Sequence, residues 1–61
     1  MKEYVSVYDL QYGDRIEFSV DGGGVEGFRT TGIFTGRDGK FIVLNNSVRL
    51  LPYQIYSIVR I

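Results

Sequence analysis

The stretch GFRTTGIFTGRDGKFIVLNN, residues 27–46, decides the fold of this chain. It places two segments rich in β-branched and aromatic residues on either side of Arg37-Asp38-Gly39-Lys40. Asp-Gly between such segments is a strong signal for a β-hairpin, because a type I′ turn needs positive φ at both central residues. The sequence therefore predicts two antiparallel strands joined by a tight turn. The continuously apolar FIVL, residues 41–44, predicts a central strand or one at a partner surface.

The segments on either side of this hairpin also predict strands. RIEFSV, residues 15–20, alternates apolar and polar side chains, and YVSVY, residues 4–8, does the same. Towards the carboxyl end, VRLL predicts another strand, and Pro52 ends it because proline cannot donate to a ladder. PYQIYS then predicts a short 3₁₀ turn and IVRI a last strand.

The number of strands and the length of the chain together predict the architecture. A chain of 61 residues has room for a single domain, residues 1–61, with one core. Five or six short strands bury such a core only if the sheet curls and closes. We therefore expect an all-β fold, a small five- or six-stranded barrel with one 3₁₀ turn before the last strand. The predicted core comprises Val5, Val7, Ile16, Phe18, Val20, Phe28, Phe34, Phe41, Val43, Val48, Leu50, Ile55 and Ile58.

A cluster of glycines precedes the hairpin, and Gly22, Gly24 and Gly27 fit the pattern Gly-x-Gly-x-x-Gly. A phosphate-binding loop of this kind opens a helix, because the helix N-terminus presents its amides to the phosphate. The segment that follows, FRTTGIF, predicts a strand, so this is not a phosphate loop. We expect a turn between strands at residues 21–24, with Gly27 and Gly32 marking a bulge or a sharp bend.

The composition excludes several kinds of chemistry. The chain has no Cys and no His, and therefore no thiolate or imidazole ligand and no histidine base. Asp9 and Asp14 flank one turn, and Glu17 and Asp21 lie near the next. Such carboxylates can act as acid and base or bind a divalent cation, but in turns and on strands they are usually ordinary solvated residues. We therefore expect no enzymatic activity, no cofactor and no metal.

Charge is unevenly distributed along a chain whose formal net charge is zero. Residues 1–27 carry two basic and six acidic side chains, and residues 28–61 carry five basic and one acidic. This asymmetry indicates either a dipole used in docking or opposite charges that face each other across strands, and we favour the second. No run reaches the roughly 18 apolar residues of a membrane span, and the first residues lack a secretory apolar core. We expect a cytoplasmic protein without membrane contact.

The predicted function is that of a small binding module acting through protein–protein contact or self-association. Tyrosines and an unbroken apolar strand suit an interface. The candidate residues for a protein groove or interface are Tyr8, Tyr12, Tyr53 and Tyr56.

Nucleic-acid binding is the alternative function. Arg29, Thr31, Thr35 and Arg37 share parity along one strand, which places a basic and polar stripe on one face unless a bulge at Gly32 breaks the register. The candidate phosphate-contacting residues are Arg29, Arg37, Lys40 and Arg49, with exposed tyrosines for base stacking. The zero net charge argues against this alternative, because counterion release favours clearly basic domains.

The whole chain resembles the Src-homology-3-like small barrels. VYDLQYGDRIEF, the glycine loop, the long bent strand, the Asp-Gly hairpin and LPYQIYSIVRI carry the resemblance. It implies a peptide groove with tyrosines, and Tyr8 and Tyr53 match their placement. The groove tryptophan of the signalling domains is absent, which removes support for proline-rich peptides. A weaker resemblance to Sm-like barrels covers residues 27–61, without their RNA-contact motifs or amino-terminal helix.

Overall fold

The computed structural model of this chain, which describes residues 3–22 and 25–61, is all β with two short 3₁₀ turns. The all-β class and the 3₁₀ turn before the last strand are therefore confirmed. The strands are β1 (Arg15–Gly22), β2 (Val25–Asp38), β3 (Phe41–Leu44), β4 (Val48–Leu50) and β5 (Ile55–Arg60). The first 3₁₀ turn is Val7–Asp9 and the second is Pro52–Gln54.

The five strands form one antiparallel sheet in the order β4-β3-β2-β1-β5. The long β2 pairs with β1 through its first part, as in Ile33 opposite Arg15, and with β3 through its last part, as in Phe34 opposite Leu44. β4 and β5 are the outer strands, and within the described residues the sheet does not close. The predicted barrel is therefore not confirmed.

The amino-terminal segment differs from the predicted strand at residues 4–8. Only Tyr4 makes a bridge, to Val59 of β5, and the amide of Val5 donates to the carbonyl of Ile58 at 2.9 Å. The chain then enters the first 3₁₀ turn, where the Ser6 hydroxyl accepts from the amide of Tyr8 at 3.2 Å. A side-chain hydroxyl that satisfies a local backbone donor favours a turn over a strand, so the alternation at residues 4–8 predicted the wrong element.

An irregularity in β2 decides which side chains face the core. The β2–β3 register shifts between Phe34 and Gly36, and Gly36 has a φ of +146°. The register around Gly32 is regular, so the bulge predicted there is wrong in position. A bulge reverses the side-chain alternation beyond it. Phe34 and Arg37 consequently lie on the same face of the sheet, opposite Leu44 and Ile42.

The two hairpin turns of the second half differ in length. The β2–β3 turn has two residues between its paired ends, and the β3–β4 turn has three, because Leu44 pairs with Val48. The predicted Asp-Gly turn is present, but Asp38 pairs with Phe41, so Gly39 and Lys40 are central. Positive φ at Gly39 alone, +59°, is the pattern of a type II′ turn and not of the predicted type I′ turn. Asn45 and Asn46, with φ of +54° and +63°, have the positive φ pair of type I′.

The buried core lies on one face of the curved sheet and under the first 3₁₀ turn. Its buried members are Val7, Leu10, Ile16, Phe18, Val20, Phe34, Ile42, Leu44, Ile55 and Ile58. The alternation along β3 buries Ile42 and Leu44, in place of the predicted Phe41 and Val43, which are half-buried. The prediction was also wrong for Phe28, which is exposed next to the β1–β2 register shift, and for Val48, which is exposed at the end of the β3–β4 ladder.

The glycine-rich connection is only partly described. Of the turn predicted at residues 21–24, Gly23 and Gly24 lie outside the described residues. Gly27 has a φ of +71° and lies where the β1–β2 register shifts, as the sequence predicted. No helix in the described part of the chain is long and apolar enough to cross a membrane.

Candidate binding groove

A groove of about 660 Å³ lies between the two 3₁₀ turns and the β2–β3 turn, and we call it the tyrosine groove. Two exposed tyrosines, Tyr8 and Tyr53, belong to its lining. Apolar side chains form most of the remaining lining, and two cations, Arg37 and Lys40, complete it. The apolar lining residues are Val7, Phe41, Ile42, Leu51 and Pro52. A mostly apolar concavity with a few charged groups is the usual form of a ligand site.

The 3₁₀ turns hold the two tyrosines in place. Tyr8 is the central residue of the first turn, which the 2.9 Å hydrogen bond from the amide of Asp9 to the carbonyl of Ser6 closes. Tyr53 is the central residue of the second turn, whose Leu51 amide donates to the Gln54 side-chain oxygen at 2.7 Å. Both turns have fixed backbones, yet Tyr8 is 75% exposed and Tyr53 81%. The two hydrogen-bonded 3₁₀ turns therefore expose both aromatic rings to solvent.

Arg37 enters the groove because of the bulge at Gly36. Its Nη2 donates to the carbonyl oxygens of Val7 at 3.1 Å and Leu10 at 3.5 Å. Its guanidinium lies 5.0 Å from the centroid of the Phe34 ring, a cation–π contact. These partners are neutral, so they fix the position of the guanidinium without cancelling its charge.

Lys40 brings a second cation to the same groove. It occupies the β2–β3 turn, and its Nζ lies 5.9 Å from the centroid of the Phe41 ring. Neither Lys40 nor Arg37 forms an ion pair with any acidic residue that the structure describes. The groove therefore has positive charge next to aromatic surface.

The structure separates the four candidate tyrosines into two groups. Tyr8 and Tyr53 share the tyrosine groove, whereas Tyr12 and Tyr56 lie outside its lining. Tyr12 is an exposed residue of the turn before β1. The hydroxyl of Tyr56, on β5, donates to a carboxylate oxygen of Asp21 at 3.0 Å. Tyr56 thus has a structural contact, and Tyr12 is a highly exposed tyrosine that lies outside the groove lining.

The four basic candidates for phosphate contact are divided in the same way. Arg37 and Lys40 line the groove, whereas Arg29 and Arg49 lie elsewhere and form ion pairs. Arg29 contacts Glu17 at 3.1 Å and also donates to the Ser57 carbonyl at 2.8 Å. The bulge at Gly36 thus separates Arg37 from the stripe of Arg29, Thr31 and Thr35 that parity predicted.

Ion pairs join the acidic first part of the chain to its basic second part. Glu17 contacts Arg29 at 3.1 Å, Asp14 contacts Arg60 at 3.1 Å, and Glu3 lies 3.9 Å from Arg60. Of the two interpretations of the charge asymmetry, pairing of opposite charges accounts for these side chains, across neighbouring strands for Glu17 and Arg29 and from outside the strands for Asp14 and Glu3. The two cations of the groove, Arg37 and Lys40, form no ion pair with the side chains that the structure describes.

The candidate carboxylates have structural partners. Asp14 accepts from the amide of Gln11 at 2.9 Å and from Nε of Arg60 at 3.1 Å. The Gln11 amide, with a smaller contribution from Arg60, holds the pKa of Asp14 below its ordinary value of 3.8, because both favour the ionised form. Asp21 accepts from the amide of Gly27 at 2.7 Å as well as from Tyr56. Among the described residues no group of three or more His, Cys, Asp or Glu forms a candidate metal site.

Sequence reasoning identified Tyr8, Tyr53, Arg37 and Lys40 but did not place them in one groove. It missed the lining contributed by Leu51, Pro52 and Phe41. The first glycine of TGRDG, Gly36, is the one sequence signal for the bulge that turns Arg37 into the groove. Comparisons with protein-family models, curated proteins and solved structures found no match.

Proposed function

We propose that this chain is a Src-homology-3-like binding module without enzymatic activity, and that it binds a segment of a protein partner in the tyrosine groove. The observation that carries the proposal is that Tyr8 and Tyr53, from two separate 3₁₀ turns, line the same mostly apolar groove. Five antiparallel strands with a 3₁₀ turn before the last are consistent with that class of barrel.

The lining suits an extended peptide better than a small polar ligand. Tyrosine is enriched at binding hot spots, because its ring buries a large area and few rotatable bonds become fixed. Leu51, Pro52 and Phe41 give the floor an apolar surface that side chains of a partner can cover. Burial of such surface favours binding in proportion to its area.

A selection from a phage library of random octapeptides tests this proposal. Peptides enriched on the unmodified protein are synthesised, and their affinities are measured for the Tyr53→Ala and Tyr12→Ala variants. We expect a loss of about tenfold or more for Tyr53→Ala, the size of a hot-spot truncation, and no change for Tyr12→Ala. Tyr12 is the matched control because it is exposed to nearly the same degree, 76% against 81%, but lies outside the groove.

Three results would count against the proposal. Selected peptides that lose affinity equally in both variants would place the binding site elsewhere. Failure to enrich any peptide would remove the support for a peptide groove. Amide shifts that change with concentration of the protein alone, and that map to the groove, would instead identify a second copy of this chain as the occupant.

Nucleic acid is the second candidate occupant, because the groove combines Arg37 and Lys40 with aromatic rings. Arg29 and Arg49 already pair with carboxylates, so two cations of the predicted four remain for phosphates. Each phosphate contact to a single strand contributes about −0.7 to the slope of log affinity against log salt. Two contacts give a slope of only about −1.4, which supports weak binding at most.

A further inference from the structure

We propose that the tyrosine groove selects acidic peptide segments, in which carboxylates alternate with apolar side chains. This inference rests on the proposed function and adds the chemical class of the partner. Three properties of the groove lead to it: unpaired charge of one sign, a guanidinium that is already positioned for an anion, and apolar side chains in the same lining.

The groove is positively charged along the part of its lining that the structure describes. Arg37 and Lys40 both line it, and none of the residues in the lining is acidic. The carboxylate nearest in sequence to Lys40, that of Asp38, accepts from Nε of Arg49 at 2.9 Å. Asp9, on the first 3₁₀ turn, is likewise not part of the lining. An anionic ligand therefore meets two attractive charges, whereas a cationic ligand would be repelled.

Arg37 is already positioned for an anion before any ligand binds. Its Nη2 is held by the Val7 and Leu10 carbonyls, and its guanidinium lies on the Phe34 ring. Its Nε and Nη1 make no hydrogen bond to the residues that the structure describes. Arginine carries five N–H donors, so those on Nε and Nη1 are left for a carboxylate. Because the side chain is already ordered, less rotamer entropy is lost when the carboxylate binds.

The apolar floor favours a peptide over a nucleic acid as the anionic partner. Leu51, Pro52 and Phe41 share the lining with the cations and the tyrosines, and their apolar surface gains from contact with aliphatic side chains. A nucleic acid would bring a continuous row of phosphates, and the groove has only two unpaired cations for them. A peptide that alternates acidic and apolar residues matches both the number of charges and the floor.

The test compares fluorescein-labelled octapeptides that differ only in their polar residue. One alternates Asp with Leu, the second Asn with Leu and the third Lys with Leu, and a short oligothymidylate is the fourth probe. Fluorescence anisotropy at low salt gives each affinity. We expect the Asp peptide to bind about tenfold more tightly than the Asn peptide, the combined effect of two partly exposed ion pairs, and the Lys peptide to bind most weakly.

Three variants connect this preference to the groove. Lys40→Gln removes an exposed ammonium group, and Arg37→Gln removes the guanidinium that the backbone carbonyls hold in place. Each variant is expected to reduce the advantage of the Asp peptide over the Asn peptide by about threefold. Arg15→Gln removes the same charge from an exposed residue outside the groove and is expected to leave the ratio unchanged. Thermal melts check that each variant is folded. If Arg37→Gln does not fold, the comparison is made with Lys40→Gln alone.

The possible results separate this inference from the proposed function. Equal binding of the Asp and Asn peptides, both weakened by Tyr53→Ala, would overturn the acidic preference and leave the groove as a peptide site. A preference for the Lys peptide would likewise overturn it. Binding of the oligothymidylate alone would replace the peptide by a nucleic acid, and binding of no probe would remove the acidic-peptide inference. An Asp preference that Arg15→Gln reduces as much as Lys40→Gln does would show a long-range charge effect and contradict a selective groove.

Discussion

Gly27 holds a backbone conformation that a side chain would disturb in two ways. Its φ of +71° lies in the left-handed region, and an added Cβ would stand 2.9 Å from the Tyr56 hydroxyl. That hydroxyl is the far end of a side chain, so it can move, but only by giving up its 3.0 Å hydrogen bond to Asp21. The structural role of Gly27 is therefore to give Tyr56 access to this carboxylate.

We expect Gly27→Ala to destabilise the fold by more than Gly13→Ala does. Both residues have positive φ, which costs an alanine about 1 kcal/mol or more, but nothing lies within 4 Å of a Cβ added at Gly13. The additional loss at Gly27 is expected to be about 1 kcal/mol, the contribution of one hydrogen bond, measured by urea unfolding. In a Tyr56→Phe background the two substitutions are expected to cost about the same; a difference that persists there would contradict this explanation.

Asp14 makes the stability of the fold depend on pH. The Gln11 amide, and secondarily Arg60, lower its pKa in the folded state below 3.8, its ordinary value. A carboxyl whose pKa is lowered on folding stabilises the fold above its unfolded pKa, and this stabilisation is lost as pH falls through the folded pKa. Asp14→Asn is therefore expected to lower the melting temperature at pH 7 and to have little effect well below pH 3.8.

Melting curves of the protein and its variants between neutral and acid pH check this prediction. Asp9→Asn is the matched control, since Asp9 is exposed and its contact with Arg60 is through the backbone carbonyl, at 3.0 Å. A melting-temperature difference between Asp14→Asn and the unmodified protein that stays constant with pH would refute the contribution of the Asp14 carboxylate.

At the scale of elements, the hairpin of β3 and β4 depends on its two turn asparagines. Asn45 and Asn46 both have positive φ, and the side-chain oxygen of Asn45 also accepts from the amide of Ile33 at 3.0 Å. Asn45→Ala is expected to cost about 2 kcal/mol, from left-handed strain and the lost hydrogen bond, and Asn46→Ala about 1 kcal/mol from strain alone. Chemical denaturation of the two variants gives the comparison, and equal losses would contradict the role of the Asn45 side chain.

The strands show which elements the sequence could predict. RIEFSV has strict alternation, and β1 indeed buries Ile16, Phe18 and Val20 on one face. The segment at residues 4–8 alternates as well, yet the Ser6 side chain and the contacts of the neighbouring elements favour a turn. A short alternation thus predicts a strand only where a neighbouring strand is placed to pair with it.

The bulge in β2 shows why the site was harder to predict than the fold. Gly36 has no side chain to mark a face, so the pattern around it does not show where the alternation reverses. Parity alone therefore predicts that Arg37 lies with Arg29 on one stripe. Its hydrogen-bond acceptors, the carbonyl oxygens of Val7 and Leu10, are distant from Arg37 in sequence. Only the folded chain brings them next to the guanidinium.

At the scale of the whole molecule, one small core stabilises the fold without disulfides, since the chain has no Cys. Phe18 is 2% exposed and central in that core, whereas Phe28 is 46% exposed. Phe18→Ala is expected to cost about 3 to 5 kcal/mol, enough to unfold most of a domain this small, and Phe28→Ala about 1 kcal/mol. Ile16→Val, at a fully buried position, is expected to cost about 1 kcal/mol and to keep the chain folded.

Thermal melts of these three variants and the dispersion of their amide NMR spectra measure these effects. Similar losses for the two phenylalanine variants would show that the core face is assigned wrongly. The comparison also tests a point on which sequence and structure disagree, since the sequence predicts that both phenylalanines are buried.

The proposed function depends on the tyrosine groove being the surface that binds a ligand. The most direct measurement is an amide NMR titration of the labelled protein with a mixture of random octapeptides and, separately, with short oligonucleotides, at about 50 and about 200 mM salt. We predict that the peptides shift the amides of Tyr8, Arg37, Lys40 and Tyr53 at both salt concentrations. Shifts confined to oligonucleotides at low salt, or shifts centred on Arg29 and Arg49 away from the groove, would contradict the account.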